Sequence, residues 1–169
     1  MKITRLFRRG WRGGLALAVA LPVTAMAAGN TTPTVGIAVR EITPELPIRL
    51  AGYASRNQSA HRVDHPLVVQ ALALKNPSGE RFVLVGLDNL EVSRAFMQPI
   101  VQQLTDKLQL DRGAIAVVSS HTHSAPVLDQ TLTDMIQPQT EERQRIESYS
   151  RLLRAKLGEA VEAALEDCQ

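Results

Sequence analysis

Cysteine is almost absent from this sequence of 169 residues, and aromatic residues make up only 4% of it. Cys168 is the single cysteine, so no internal disulfide can form and a disulfide-stabilised scaffold is excluded. A transmembrane span is also not expected. The apolar stretch at residues 13–28 is broken by Pro22 and is shorter than the roughly 20 residues that such a helix needs. The length is that of one domain.

A strong excess of charge of either sign is missing once the first 27 residues are set aside. The whole chain has 19 basic and 17 acidic residues. Five of the basic residues and none of the acidic ones precede residue 28, which leaves 14 basic against 17 acidic residues. No basic stripe remains to bind nucleic acid, so the surface is interpreted as solvated mixed charge.

The first 27 residues have the pattern of an export signal. Five basic residues precede the apolar stretch, and Ala25-Met26-Ala27 supplies the small residues that a signal peptidase requires. We therefore predict a signal peptide at residues 1–27, with a retained N-terminal anchor as the alternative, a polar linker at 28–34 and a folded region at 35–169. The predicted location is the periplasm or the extracellular medium, and both the Sec and the twin-arginine routes remain open.

Hydrophobic patterning predicts four strands, at residues 35–39, 67–74, 82–87 and 114–119. The turn sequence Asn76-Pro-Ser-Gly79 joins the second and third strands into a hairpin, because proline presets φ and glycine accepts a positive φ. The third strand is apolar on both sides, which favours a place inside a sheet.

Two helices complete the predicted pattern. Apolar residues recur every four positions from Val92 to Leu108, with Pro99 favouring a start near Gln98 and Gly113 interpreted as the C-terminal cap. A longer helix with an apolar stripe is predicted at 141–166. The order predicts an α/β fold, a mixed β-sheet layered with helices. Since another strand normally follows such a helix, we expect the incomplete N-terminal portion of a larger catalytic domain.

Two of the four histidines stand one residue apart, just after the strand predicted at 114–119. If strand geometry continues past Ser120, His121 and His123 project to the same side. Ligands of open α/β sheets bind outside the carboxyl ends of strands, and neutral imidazole is a common zinc ligand. The pattern favours a metal or catalytic site, with surface or capping histidines as the alternative.

Asp88 is a weaker candidate site residue, at the end of the strand predicted at 82–87. Its carboxylate is in a position to accept a hydrogen bond from a metal-bound imidazole and so to orient that ring. The alternative is a capping or turn role.

The stretch SSHTHSAP at residues 119–126 resembles the histidine signature of the neutral, or non-lysosomal, ceramidases. Further stretches are similar to segments of that family in the same order. VGIAVREITP resembles its opening strand, LAGYASR its Gly-Tyr turn, and YSRLLRAKLGEAVEAAL the helix after the signature. Residues 35–165 thus resemble roughly the first third of such an enzyme.

This resemblance implies a zinc amidase that hydrolyses N-acylsphingosine to sphingosine and a fatty acid. It implies that His121 binds Zn²⁺, and that the catalytic His123 contacts the substrate beside the metal. Zinc polarises the carbonyl and lowers the pKa of bound water to about 7. The family's other zinc ligands, a histidine, a glutamate and a tyrosine, belong to segments that lie beyond residue 169. The resemblance therefore implies a chain that is inactive alone and needs a C-terminal segment to complete its site.

Two other functions stay open at this point. One is a non-enzymatic exported binding module on the same scaffold, in which the histidines only bridge or cap. The other is a related metal hydrolase that acts on a different amide or ester. For the zinc amidase that the resemblance implies, the expected partner is a lipid amide such as ceramide.

Deletion of residues 1–27, with a new initiator methionine, is expected to retain the protein in the cytoplasm because the export signal is gone. Cell fractionation followed by immunoblotting of a C-terminal tag measures this. Deletion of residues 29–33 is the matched control and should leave export unchanged. Recovery of the chain lacking 1–27 outside the cytoplasm would contradict the assignment.

Overall fold

The computed structural model describes residues 32–132 and 135–168 of the chain. The predicted signal peptide and most of the predicted linker lie outside the described residues. The described residues form four strands and two α-helices with a short 3₁₀ turn between the helices. In chain order these are β1 Thr34–Glu41, β2 Val68–Lys75, β3 Arg81–Leu87, α1 Arg94–Leu108, the 3₁₀ turn Arg112–Ala114, β4 Ile115–Ser119 and α2 Thr140–Asp167.

The four strands form one mixed sheet in the order β1-β2-β3-β4. β1, β2 and β3 are antiparallel neighbours, with Ile37 opposite Leu72 and Leu72 opposite Leu84. After the crossover through α1, β4 returns parallel to β3. The predicted hairpin, the interior place of the third strand and the α/β fold class with a mixed sheet are all confirmed.

Helix α1 begins earlier than its sequence predicts. Ser93 is the N-cap, and its hydroxyl accepts a hydrogen bond from the Phe96 amide at 3.1 Å. This cap satisfies a first-turn donor, so the helix starts at Arg94 and contains Pro99 in its interior, where one backbone hydrogen bond is lost. A start near Gln98 is therefore wrong.

The C-terminal cap of α1 is also different from the one expected. Gln109, with φ 52° and ψ 50°, takes the left-handed conformation directly after the helix, and its amide donates to the Thr105 carbonyl. Gly113 lies further on, in the 3₁₀ turn. A cap must follow the last helical turn at once, so a glycine several residues away cannot serve.

Both helices cover the same face of the sheet. The α2 residues Leu153, Leu157 and Val161 are fully buried in one core with strand residues such as Val69 and Val85. Between the helices, Lys107 pairs with Glu162 at 2.6 Å, and the Arg154 guanidinium lies 4.2 Å from the centre of the Phe96 ring. The helix layer thus presents its apolar stripe to the sheet and its charges to water.

The C-terminal turn of α2 crosses β1 at very close range. A side chain at Gly36 would place its first carbon 2.0 Å from the Ala164 carbonyl oxygen. Glycine therefore allows the helix to lie on the strand. Across the part of the chain that the structure describes, no helix has the length and apolar character needed to cross a membrane.

Replacing Leu153 by alanine is expected to lower the free energy of unfolding by about 2–5 kcal/mol, because a fully buried side chain leaves a cavity. Leu152, its neighbour on α2, is 39% exposed. Leu152→Ala is the matched control and should cost less than about 1 kcal/mol. Urea unfolding monitored by circular dichroism measures both, and equal losses would contradict the packing described.

Candidate active site

Two loops meet at the carboxyl ends of β3 and β4, and backbone hydrogen bonds hold them together. The Ala51 amide donates to the Ala125 carbonyl at 2.9 Å, and the Val127 amide donates to the Arg49 carbonyl at 3.0 Å. These bonds flank an antiparallel bridge between Leu50 and Pro126. The turn at residues 52–56 is thereby placed against the histidine segment at 121–124.

Gly52 is the point of closest approach between the two loops. A methyl group at this position would lie 2.2 Å from Cβ and 2.4 Å from the carbonyl oxygen of His123. No side chain fits in that space, so only glycine permits this packing. The stretch LAGYASR therefore contributes a backbone surface on which His123 rests, a role that the sequence motif did not reveal.

His121 adopts a left-handed backbone conformation, with φ 60°. β4 ends at Ser119, so the strand alternation considered for the histidine pair does not continue past Ser120. Nδ1 of His121 lies 3.0 Å from the Leu90 carbonyl oxygen. Because a carbonyl only accepts, Nδ1 is the donor of this hydrogen bond. The neutral ring then has its lone pair on Nε2, the arrangement found in metal-binding histidines.

The side chain of His123 lies beside that of His121. Their ring centres are 5.2 Å apart at an interplanar angle of 74°, and the Tyr53 ring lies 4.8 Å from the His123 ring on an edge contact. Nδ1 of His123 is buried and has no hydrogen-bond partner among the described residues. A buried ring nitrogen of this kind normally has a polar partner, so this atom keeps an unmet hydrogen-bonding capacity at the wall of the cavity.

Arg56 fixes the backbone beneath the His123 ring. One of its terminal nitrogens donates to the His123 carbonyl at 2.8 Å, and its guanidinium lies 5.1 Å from the centre of the Tyr53 ring. Arg49 in turn donates to the carbonyl of Arg56. The two arginines thus connect the glycine turn to the histidine segment through charge-assisted hydrogen bonds.

These side chains surround a cavity of about 270 Å³. Its described lining has two arginines, two histidines and otherwise apolar or aromatic residues: Arg49, Leu50, Ala51, Tyr53, Ala54, Arg56, Leu90, His121, His123, Leu132, Met135 and Ile136. Three of them, Tyr53, His121 and Leu132, have positive φ. Such strained backbone persists only where surrounding contacts impose it, and it gathers at functional sites.

Asp88 lies near the histidine segment but hydrogen-bonds to neither ring. Its carboxylate accepts from the Val68 amide at 3.1 Å, and it lines a second groove together with Thr122 and Ser124. Burial raises the pKa of Tyr149, and the negative charge of Asp88 raises it further. The acceptor that orients His121 is the Leu90 carbonyl, so a role for Asp88 toward an imidazole stays a prediction that no contact supports.

Two histidines are fewer donors than a zinc site requires. Within residues 32–132 and 135–168, no three histidine, cysteine, aspartate or glutamate side chains gather closely enough to hold a metal ion. His61 and His65 are exposed and line the second groove rather than the cavity of the pair. Catalytic zinc usually has three protein ligands, so the described residues do not form such a site by themselves.

Comparison with known proteins relates this fold to the ceramidases. No family model and no curated protein matches the sequence. The structure is similar to neutral ceramidase from Pseudomonas aeruginosa, with a TM-score of 0.66 at 19% identity over 83% of this chain. It is also similar to a ceramidase complexed with C2, with a TM-score of 0.64 at 18% identity over 83% of this chain.

The chain has a ceramidase-like fold. Identities this low show the fold alone. The chain spans only 22% of the length of either ceramidase structure. The resemblance to the ceramidases and the expectation of a part of a larger domain are both confirmed at the level of the fold.

Gly52→Ala is expected to lower the free energy of unfolding by about 1–3 kcal/mol and to displace the His123 ring, because the added methyl overlaps the His123 backbone. Denaturant unfolding measures the first effect, and the imidazole proton shifts of His123 beside Tyr53 measure the second.

The matched control is Gly113→Ala, where an added methyl meets no heavy atom within 4 Å. This change should alter stability by less than about 0.5 kcal/mol. An unshifted His123 resonance in Gly52→Ala would contradict the positioning role of Gly52.

Proposed function

We propose that this chain forms part of an exported, zinc-dependent amide hydrolase of the neutral ceramidase type, with N-acylsphingosine as its substrate. The observation that carries the proposal is the hydrogen bond from His121 to the Leu90 carbonyl. It leaves Nε2 of His121 free beside His123 in the cavity. The ceramidase-like fold supports the same function. Export rests on residues 1–27, which lie outside the described residues.

His121 would hold the zinc ion through Nε2. When bound, zinc would polarise the scissile carbonyl and make bound water more acidic. The Leu90 carbonyl keeps the proton on Nδ1, so the correct tautomer is already set before the metal arrives. This arrangement removes the cost of reorienting the ring on binding.

His123 would contact the substrate beside the metal. Its backbone is fixed by Arg56 and by the Gly52 turn, while Tyr53 packs against its ring. Nδ1 of this ring is buried without a partner, and it would hydrogen-bond a polar substrate group once a small shift of the ring exposes it. A donor placed where negative charge develops lowers the barrier of acyl transfer.

The remaining zinc ligands would come from polypeptide outside the described residues, since the described part has only the histidine pair in its cavity. The 169-residue chain alone is then expected to bind zinc weakly and to hydrolyse ceramide little or not at all. Hydrolysis of a fluorescent ceramide by this chain at the rate of a complete enzyme would contradict that part of the proposal.

The incomplete donor set also favours a second candidate, a non-enzymatic exported binding module on the same scaffold. In that case the histidines are structural and bind no metal. The zinc affinity of a His121→Ala variant separates the two candidates. A panel of N-acyl lipids and simple esters separates ceramide hydrolysis from a related activity.

His121→Ala is expected to weaken zinc binding at least about tenfold, because it removes a metal ligand. Competition titration with a chromophoric zinc chelator measures the dissociation constant. His61→Ala is the matched control, since His61 is exposed on the loop outside the cavity. Equal zinc affinity in both variants would contradict the metal role of His121 and favour the binding module.

A further inference from the structure

The face of the sheet opposite the helices is apolar and open. Seven large apolar side chains on it are between 37% and 62% exposed: Val35, Ile37, Val39, Leu74, Phe82, Leu84 and Val118. Isolated exposed apolar residues are ordinary, but a contiguous group marks an interaction surface. We call these seven residues the open face.

The strand register makes the open face continuous. Val35 lies opposite Leu74, which lies opposite Phe82. The next row joins Ile37, Leu72, Leu84 and Ala116 across all four strands. The third row runs from Val39 through Gln70 and Gly86 to Val118. An added carbon at Gly86 would meet no heavy atom within 4 Å. The rows therefore form one surface with a shallow hollow toward β4.

The chemistry of the open face fits a protein layer better than a lipid surface. The rows contain Gln70 but no lysine or arginine, and the nearest charge along β1 is Glu41 at its end. Peripheral membrane surfaces combine apolar residues with cations that attract anionic headgroups. β-branched residues on a pleated surface pack well against a second sheet, with the two sheets about 10 Å apart.

The ceramidase structures indicate where such a layer would originate. This chain matches 22% of their length, so most of the polypeptide in that fold lies outside the matched part. The helices α1 and α2 already cover the other face of the sheet. Further polypeptide of the same domain can bury apolar surface only on faces that are still open.

We infer that the open face is the docking surface for a second β-sheet supplied by the remainder of a ceramidase-like domain. The inference rests on the proposed function and names the surface through which the missing zinc ligands are brought to the histidine pair. Val118 belongs to the open face and to β4, the strand that ends just before His121. A layer docked there lies next to the edge of the sheet where the cavity opens.

Thiol accessibility tests this inference. Ile37→Cys places a thiol in the middle of the open face, and Gln103→Cys places one on the exposed side of α1. The native Cys168 is buried and should therefore react more slowly than an exposed thiol. In the 169-residue chain alone, both introduced thiols should react with a maleimide at similar rates.

The chain is then co-expressed with the polypeptide encoded directly downstream of the Gln169 codon. The labelling rate of Ile37→Cys is expected to fall at least tenfold, while that of Gln103→Cys stays unchanged. Val39 also lies on the open face and is 50% exposed, so Val39→Cys is the second variant if Ile37→Cys folds poorly.

Four outcomes would overturn the inference. They are unchanged labelling in the co-expressed sample, absence of any downstream coding sequence, protection in the chain alone with a dimeric mass in ultracentrifugation, and protection by phosphatidylglycerol-containing vesicles. Zinc content and ceramide hydrolysis are measured on the same samples. Protection of the thiol in a sample that contains no zinc supports the docking surface and contradicts the proposed function. Ceramide hydrolysis in a sample whose thiol is not protected supports the proposed function and contradicts the docking surface.

Discussion

The close approach of Gly52 to His123 is the constraint on which the candidate site depends. Two loops that are far apart in sequence can share one cavity only because no side chain separates them. The backbone bonds between residues 49–51 and 125–127 hold that approach, and Arg56 secures it from the other side. The histidine pair is therefore positioned by backbone contacts, which leaves its free ring nitrogens for chemistry.

A backbone contact also sets the orientation of the His121 ring. A carboxylate beside the ring would have added a charge to the cavity, whereas the Leu90 carbonyl fixes the tautomer without one. The described lining is consequently cationic and apolar, with Arg49 and Arg56 as its charged members. Under the proposed function, such a lining would suit a substrate group that gains negative charge during the reaction.

The two faces of the sheet differ in how far they are covered. Its covered face has a dense core in which Leu153 and Leu157 are fully buried, so the carboxyl ends of β3 and β4 are held firmly. Its open face has seven large apolar side chains that are 37% to 62% exposed. An apolar sheet face that one part of a domain leaves exposed is a surface on which further polypeptide of that domain can pack.

Sequence patterning predicted the strands, the hairpin, the long helix and the histidine pair, because each depends on local periodicity or on neighbouring residues. It misplaced the ends of α1, since the Ser93 cap and the left-handed Gln109 outweighed the signals from Pro99 and Gly113. It could not find the Leu90 acceptor or the role of Gly52, because a backbone carbonyl and a glycine carry no signature of their distant partners. The sequence by itself determined which elements form and which imidazoles are present. Only the tertiary structure decided how those rings are oriented and which sheet face stays open, since contacts between distant segments set both.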